Sequence, residues 1–233
     1  MVSLSVIVPK LYELFERHVH RAQEAWQYCT SDYNHAAVML KLIPLLLFAA
    51  LPALALATPA KELVTAARSQ IGVTLSYNPA YEKLAYPGGD IPMARGVCTD
   101  VVVRAYRKLG FDLQQLVHQD MKKAWDKYPH ANKWKLNKPD PNIDHRRVPN
   151  LATFFSRHGT TIPTSKEGRN YLPGDVVTWR LPGNLTHIGI VGDKYTSAGV
   201  PLMIHNIGMG TQEEDMLFKY DITGHYRWNP KAR

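Results

Sequence analysis

Cysteine is scarce in this sequence: Cys29 and Cys98 are the only two among 233 residues. Neither belongs to a Cys-x-x-Cys pair, and no His-x-x-x-His pair occurs, so the close ligand pairs typical of zinc sites are missing. Internal repeats, low-complexity tracts and nucleic-acid-binding motifs are also missing. These absences exclude a disulfide-stapled scaffold and give no support to a nucleic-acid-binding function.

One apolar run stands out near the N-terminus. Residues 39–57 have a basic start at Lys41, an apolar centre and the small-residue ending Ala55-Leu-Ala57. This pattern predicts a cleaved secretory signal peptide. The alternative, a membrane anchor, is disfavoured because the run is short for a span and contains two prolines. We therefore expect a mature single domain over 58–233 and interpret 1–38 as an upstream extension that arises from a misassigned start site.

The mature chain is basic. Removing residues 1–57 takes away four Lys or Arg and four Asp or Glu, so the formal net charge of +8 is retained. A basic exported protein suits an anionic partner such as a cell-wall polymer or lipid headgroups. We expect a monomer in the periplasm or cell envelope, with no cofactor, no bound nucleic acid and no membrane span after cleavage.

After cleavage Cys98 is the only thiol, and a lone thiol in an exported protein calls for an explanation. Cys98 begins a run with helical apolar spacing that ends at Gly110. A helix N-terminus presents unpaired N–H groups and a positive dipole, which favour the thiolate. We therefore predict a nucleophile with a depressed thiol pKa. The alternative is that Cys98 is a small buried hydrophobic residue.

The remaining pattern predicts helices followed by strands. Apolar periodicity, capping residues and glycines indicate four helices and a meander of strands, with a loop over 77–95 and an irregular basic segment over 127–150. This order is typical of an α+β fold with an antiparallel sheet. The helices are predicted at 59–71, 98–109, 113–125 and 151–158, and the strands at 174–179, 187–191, 201–205 and 221–228.

Two histidines lie at predicted strand ends. His187 starts an apolar strand, and His205 ends the next one. In an antiparallel sheet a strand start lies beside the end of its neighbour, so the two imidazoles are expected to meet, one as a base and one as its orienting group. Two alternatives remain: each histidine is structural, or Cys98, His187 and His205 bind zinc.

Five segments follow one another in a characteristic order. They are Tyr86-Pro-Gly-Gly, Gly96-Val-Cys-Thr-Asp, Pro173-Gly-Asp-Val-Val, Thr186-His-Ile-Gly-Ile-Val and Met203-Ile-His205. This set resembles the motifs of the NlpC-type papain-like cell-wall peptidases. The resemblance is closer to the exported bacterial family known as domain of unknown function 1287, and it covers the chain from residue 58 onward. Two departures are Val97-Cys98-Thr-Asp, where the peptidases commonly have Asp-Cys-Ser-Gly, and a longer stretch over 193–200.

The resemblance implies a papain-like fold in which the cysteine helix packs on an antiparallel sheet. It implies that Cys98 attacks a carbonyl, that His187 is the base and later the acid, and that His205 fixes the tautomer of His187. The oxyanion would be held by the backbone N–H of Cys98, with Tyr86 as a second donor. The implied activity is cleavage of amide bonds in peptidoglycan peptides, by an endopeptidase or an amidase.

Three further residues have open roles. Asp90 and Asp100 either bind substrate amines or brace the loop before the cysteine. Asn206 rivals His205 as the orienting group, but adjacent strand residues face opposite sides, so only one of them points at His187. The alternatives for the whole protein are a non-catalytic cell-wall-binding module and an acyltransferase on the same scaffold.

Overall fold

Four α-helices occur in residues 59–129 and 137–230, which are the residues described by this computed structural model. They are α1 (Pro59–Arg68), α2 (Cys98–Lys108), α3 (Leu113–Lys123) and α4 (Val148–His158). Helix α4 begins three residues before its predicted start, because Pro149 fits the first turn of a helix. The predicted extension and signal peptide, 1–57, lie outside the described residues and remain predictions.

The strands of the described residues form two sheets. Two short strands, β1 (Ser76–Tyr77) and β2 (Arg95–Gly96), form a parallel pair. The larger sheet consists of β3 (Thr160–Thr161), β4 (Val176–Leu181), β5 (Leu185–Tyr195), β6 (Pro201–His205), β7 (Gln212–Glu214) and β8 (Asp221–Arg227). It is antiparallel, with the order β3-β8-β4-β5-β6-β7. This sheet and the helices confirm the predicted α+β class.

Both faces of the sheet are buried. On one face Ile188, Ile190 and Ile204 join the helices in a hydrophobic cluster that includes Cys98. On the other face Trp179 and its apolar neighbours pack beneath the connection from β7 to β8. Burial on both sides explains why the centre of β5 is continuously apolar instead of alternating.

Helix α2 carries the cysteine into the first of these clusters. Its apolar stripe, which includes Val101, Val102 and Tyr106, is fully buried. Among the described helices, none is long and apolar enough to cross a membrane. The fold therefore places Cys98 at the start of a buried helix, against the strands that carry His187 and His205.

Candidate active site

Cys98 is the first residue of α2, as the sequence predicts. The turn that presents it is closed by Asp100, whose Oδ2 accepts a hydrogen bond of 2.7 Å from the backbone N–H of Val97. Asn206 adds a second restraint, because its Nδ2 donates to the carbonyl oxygen of Gly96 at 3.1 Å. The cysteine is thus held by bonds to both of its flanking segments.

The predicted depression of the Cys98 pKa is wrong. Burial raises the pKa of the thiol to about 12, and the nearby carboxylate of Asp100 acts in the same direction. The backbone N–H groups of Ile188 and Thr99 oppose this shift but do not overcome it. The residue is only 3% exposed, so the loss of hydration outweighs the helix dipole. Cys98 therefore carries a neutral thiol near pH 7.

Tyr77, which the sequence analysis missed, is the tyrosine beside Cys98. The parallel pairing of β1 with β2 sets Tyr77 opposite Gly96, two residues before the cysteine. Burial raises the pKa of Tyr77 to about 12. The negative charge of Cys98 in its thiolate form and a hydrogen bond with the Cys98 side chain add to this shift. A hydroxyl at the thiol is a donor suited to an oxyanion.

Tyr86, the predicted second oxyanion donor, lies elsewhere. Its ring packs edge-on against His118 of α3, with 5.1 Å between the ring centroids. The Tyr-Pro-Gly-Gly loop is held there because Gly88 and Gly89 donate backbone hydrogen bonds to Asp112 and Gln114 at the start of α3. Of these two tyrosines, Tyr77 is therefore the one that lies beside Cys98.

His187 and His205 are brought together, at neighbouring positions on β5 and β6. His187 Nε2 lies 3.1 Å from His205 Nδ1, and the rings are nearly perpendicular with centroids 5.0 Å apart. Burial lowers the pKa of His187 to about 3 and that of His205 to about 4. Both rings are therefore neutral near pH 7, and one must donate to the other.

Gly189 provides the space that this pair needs. A Cβ atom at this position would lie 3.1 Å from the Cβ of His205 and 3.0 Å from the carbonyl oxygen of Ile204. Side chains at 187 and 189 share one face of the strand, so a larger residue at 189 would crowd His205 away from His187. The glycine of the His-Ile-Gly-Ile-Val segment thus has a packing role that the sequence analysis did not recognise.

The thiol meets β5 at the residue after His187. The backbone N–H of Ile188 hydrogen-bonds the Cys98 sulfur and lowers its pKa. Within the described residues, no hydrogen bond joins the Cys98 thiol to either imidazole. His187 uses Nε2 for His205, so Nδ1 is the ring nitrogen outside this contact, and the ring also lies against Trp179 with 5.8 Å between the centroids.

Asn206 faces away from the histidine pair. In addition to Gly96 it binds the carbonyl oxygen of Ser76 at 3.3 Å, and its Oδ1 accepts from the backbone N–H of Gly208. The side chain is fully buried. Of the two candidate orienting groups, only His205 contacts His187.

Asp90 and Asp100 both have guanidinium partners. Asp90 receives two hydrogen bonds from Arg104 of α2, at 2.9 and 3.0 Å. Asp100 receives two from Arg146, at 3.0 and 3.1 Å. Of the two alternatives for these aspartates, the contacts favour the one in which they brace the loop and the helix start, and substrate binding stays a prediction.

A cavity of about 280 Å³ opens beside the thiol, and we call it the cleft. Arg146 and Arg147 lie on one side of the cleft, each paired with a buried aspartate, and Leu185 lies at its exposed edge. Arg147 Nη1 binds the buried carboxylate of Asp144 at 3.1 Å. The lining consists of Tyr77, Pro79, Val97, Cys98, Ile143, Arg146, Arg147, Val148, Pro149, Asn184, Leu185 and Thr186.

The described residues offer no ligand set for the zinc alternative. Across the described residues, no three His, Cys, Asp or Glu side chains are grouped so that they would hold a metal ion. Cys98 and the two histidines do not converge on one point, since His187 and His205 are bonded to each other. Two imidazoles that are hydrogen-bonded to each other are better arranged for proton transfer than for metal coordination.

The chain is similar to known proteins in sequence and, distantly, in structure. It is 60% identical over 162 residues to "Uncharacterized protein YijF" of Escherichia coli (strain K12), a match that covers 70% of this chain and 78% of the relative. A solved structure, NlpC1 from Trichomonas vaginalis, superposes with a TM-score of 0.43 at 15% identity, over 75% of this chain and 46% of that chain. A family model matches residues 64–228, and the chain therefore belongs to the family described as Domain of unknown function (DUF1287).

Proposed function

We propose that this protein is an exported cysteine hydrolase with a papain-like arrangement, which cleaves amide bonds in peptidoglycan peptides through Cys98, His187 and His205. The observation that carries the proposal is the hydrogen-bonded His187–His205 pair, one residue along the strand from the backbone N–H that contacts the thiol. A thiol at a helix start, together with a histidine that a second histidine orients, are the groups that nucleophilic catalysis uses.

The protonation states define the chemistry of the first step. Because the thiol and both imidazoles are neutral at rest, the proton leaves Sγ as the sulfur attacks, without a preformed ion pair. His187 Nδ1 accepts this proton, and the new Sγ–C bond puts negative charge on the carbonyl oxygen. We assign the stabilisation of that charge to the backbone N–H of Cys98 and the hydroxyl of Tyr77.

The remaining steps return the enzyme to its starting state. His187 gives the proton to the leaving amine as the C–N bond breaks, which leaves a thioester on Cys98. Water, deprotonated by the same nitrogen, then attacks the thioester, and the acid product and the neutral thiol are released. His205 keeps its hydrogen bond to Nε2 throughout.

The substrate class and the location are supported by sequence patterns. The predicted signal peptide at 39–57 would deliver the protein to the cell envelope, and the net charge of +8 suits an anionic wall polymer.

A second candidate, a non-catalytic wall-binding module, is favoured by the state of Cys98. The thiol is 3% exposed, its pKa is raised, and it makes no hydrogen bond to the histidines among the described residues. An unreactive buried cysteine has these properties.

Digestion of purified sacculi separates the two candidates. Wild-type protein should release muropeptides with newly cut amide bonds, identified by mass analysis, and Cys98→Ala should release none. His118→Ala, which changes a histidine of α3 that packs on Tyr86, is the matched control and should retain activity. Sacculus binding without any cleavage by the wild type would favour the binding module and reject the hydrolase.

A further inference from the structure

Three polar side chains form a diagonal row across β5, β6 and β7. His187 Nε2 is 3.1 Å from His205 Nδ1, and His205 Nε2 is 3.2 Å from Glu214 Oε1. On β7, Gln212 pairs with His205 and Glu214 pairs with Met203, so Glu214 is the diagonal neighbour of His205 on the same face. The row thus runs from the middle of the sheet to its edge strand.

In the contact between His205 and Glu214, the histidine is buried and the glutamate is not. His205 is fully buried, and its Nε2 has no aligned hydrogen bond within the described part of the chain. The side chain of Glu214 is 48% exposed, so its carboxylate is able to rotate into line with Nε2. A buried ring nitrogen without a partner is costly, and Glu214 is the group placed to satisfy it.

The surroundings of His205 and His187 limit the protonation states that the two rings adopt. Burial, assisted by the charge of Lys219, lowers the pKa of His205 to about 4. Burial, assisted by His205, lowers the pKa of His187 to about 3. Each ring therefore carries one N–H near pH 7, and the only remaining question is which nitrogen carries it.

The carboxylate of Glu214 beside Nε2 of His205 determines which nitrogen of each ring carries the N–H. It only accepts, so the N–H of His205 must be on Nε2, and Nδ1 becomes an acceptor. His187 then donates from Nε2, and its Nδ1 keeps a lone pair. In the opposite arrangement His205 Nδ1 donates to His187 Nε2, and the N–H of His187 is on Nδ1, where it is unable to take a proton.

We propose that Glu214 is a positioning residue that selects the tautomers of His205 and His187 and so leaves the Nδ1 atom of His187 ready to accept the proton of Cys98. The inference rests on the proposed function for its catalytic consequence. The tautomer itself is a property of the protein without substrate.

Nitrogen-15 NMR of the imidazole rings at pH 7 tests the tautomer directly. In the wild type, Nδ1 of both rings should give the shift of an unprotonated nitrogen. Glu214→Gln, which both donates and accepts, should populate the opposite tautomer in both rings. Asp215→Asn removes the same charge from the exposed neighbour and should change neither ring. Wild-type rings with protonated Nδ1, or rings that Glu214→Gln leaves unchanged, would overturn the role of Glu214.

Turnover of wall peptides tests the catalytic consequence. Glu214→Gln should lower kcat about tenfold with KM unchanged, less than the 10²–10⁴-fold that a general base contributes. In a His205→Ala background the same substitution should cause no further loss, because Glu214 acts only through His205. An equal loss in both backgrounds would overturn this relay. A tautomer change in a protein without hydrolase activity would reject the proposed function and leave the Glu214 assignment standing.

Discussion

Asp100 and Arg146 form a buried ion pair with two hydrogen bonds, Nε to Oδ1 at 3.0 Å and Nη2 to Oδ2 at 3.1 Å. Both side chains are 3% exposed or less. Asp100 lies in the first turn of α2, and Arg146 also donates to the carbonyl oxygens of Asn78 and Ala80. The pair therefore joins the cysteine helix to the loop before it and to the segment before α4.

Breaking this pair on one side should be strongly destabilising. Arg146→Met leaves the carboxylate of Asp100 buried without its cation, and such a change costs about 3–5 kcal/mol of unfolding free energy. Urea denaturation measures the loss. The double variant Arg146→Met with Asp100→Asn, which buries no charge, should recover part of the stability. A single variant as stable as the wild type would contradict the assignment of Asp100 as a structural group.

Tyr77 and Tyr86 should differ sharply in their effects on catalysis. Tyr77→Phe removes a hydroxyl beside the thiol, and loss of one oxyanion donor lowers kcat by about 10²–10³-fold. Tyr86→Phe removes a hydroxyl from a ring that packs on His118, so kcat should not change. Wall-peptide turnover by the two variants measures this. Equal activity of both would remove Tyr77 from the oxyanion site.

Alkylation of Cys98 should be slow at neutral pH. With the thiol pKa raised to about 12 by burial, the rate with iodoacetamide should rise continuously to pH 10 without levelling off. The measurement needs Cys29→Ser so that Cys98 is the only thiol. Urea-unfolded protein is the control, and its rate should level off just above the usual cysteine pKa, near 9.0. An inflection below pH 8 in the folded protein would restore the thiolate hypothesis.

Stability should fall as the pH drops below 6.5. His145, His187 and His205 have usual pKa values of 6.5, and burial lowers them to about 3, 3 and 4 in the folded protein. As the pH falls, these histidines are protonated in the unfolded chain before they are protonated in the folded protein. The stability that is present above pH 6.5 is therefore lost as the pH approaches the pKa values of the folded protein. Asp144 acts in the opposite direction, because burial raises its pKa from 3.8 to about 6.

The pH dependence of the unfolding free energy between pH 7 and 5 checks this expectation. His145→Gln should reduce the slope, since it removes one of the three protons without changing the His187–His205 pair. Asp144→Asn should steepen it, because the opposing proton is lost. A slope that neither substitution alters would show that other groups control the acid sensitivity.

The long elements could be predicted because each carries a repeated pattern. Cys98 and Leu113 begin helices as expected, and Asp112 caps the second with a bond to the backbone N–H of Gln114. Strands β1, β2, β3 and β7 are not predicted, since two or three residues are too few to show a period of two. The edge strand that carries Glu214 is therefore not predictable from the sequence pattern.

The candidate site was predictable where it depends on strand order and not where it depends on tertiary contacts. The meeting of His187 and His205 follows from two adjacent antiparallel strands. Tyr77 was missed because its place beside Cys98 is set by the parallel pairing with Gly96. The sign of the Cys98 pKa shift was wrong because a sequence shows the helix start but not the depth of burial.

Strand β6 controls both halves of the site. His205 lies at its end and holds His187, while the next residue, Asn206, points to the opposite face and holds the carbonyl oxygen of Gly96 before the cysteine. Two neighbouring residues, on opposite faces of the sheet, thus connect one strand end to the imidazole pair and to the segment before the cysteine. A displacement of this strand end would disturb both contacts together.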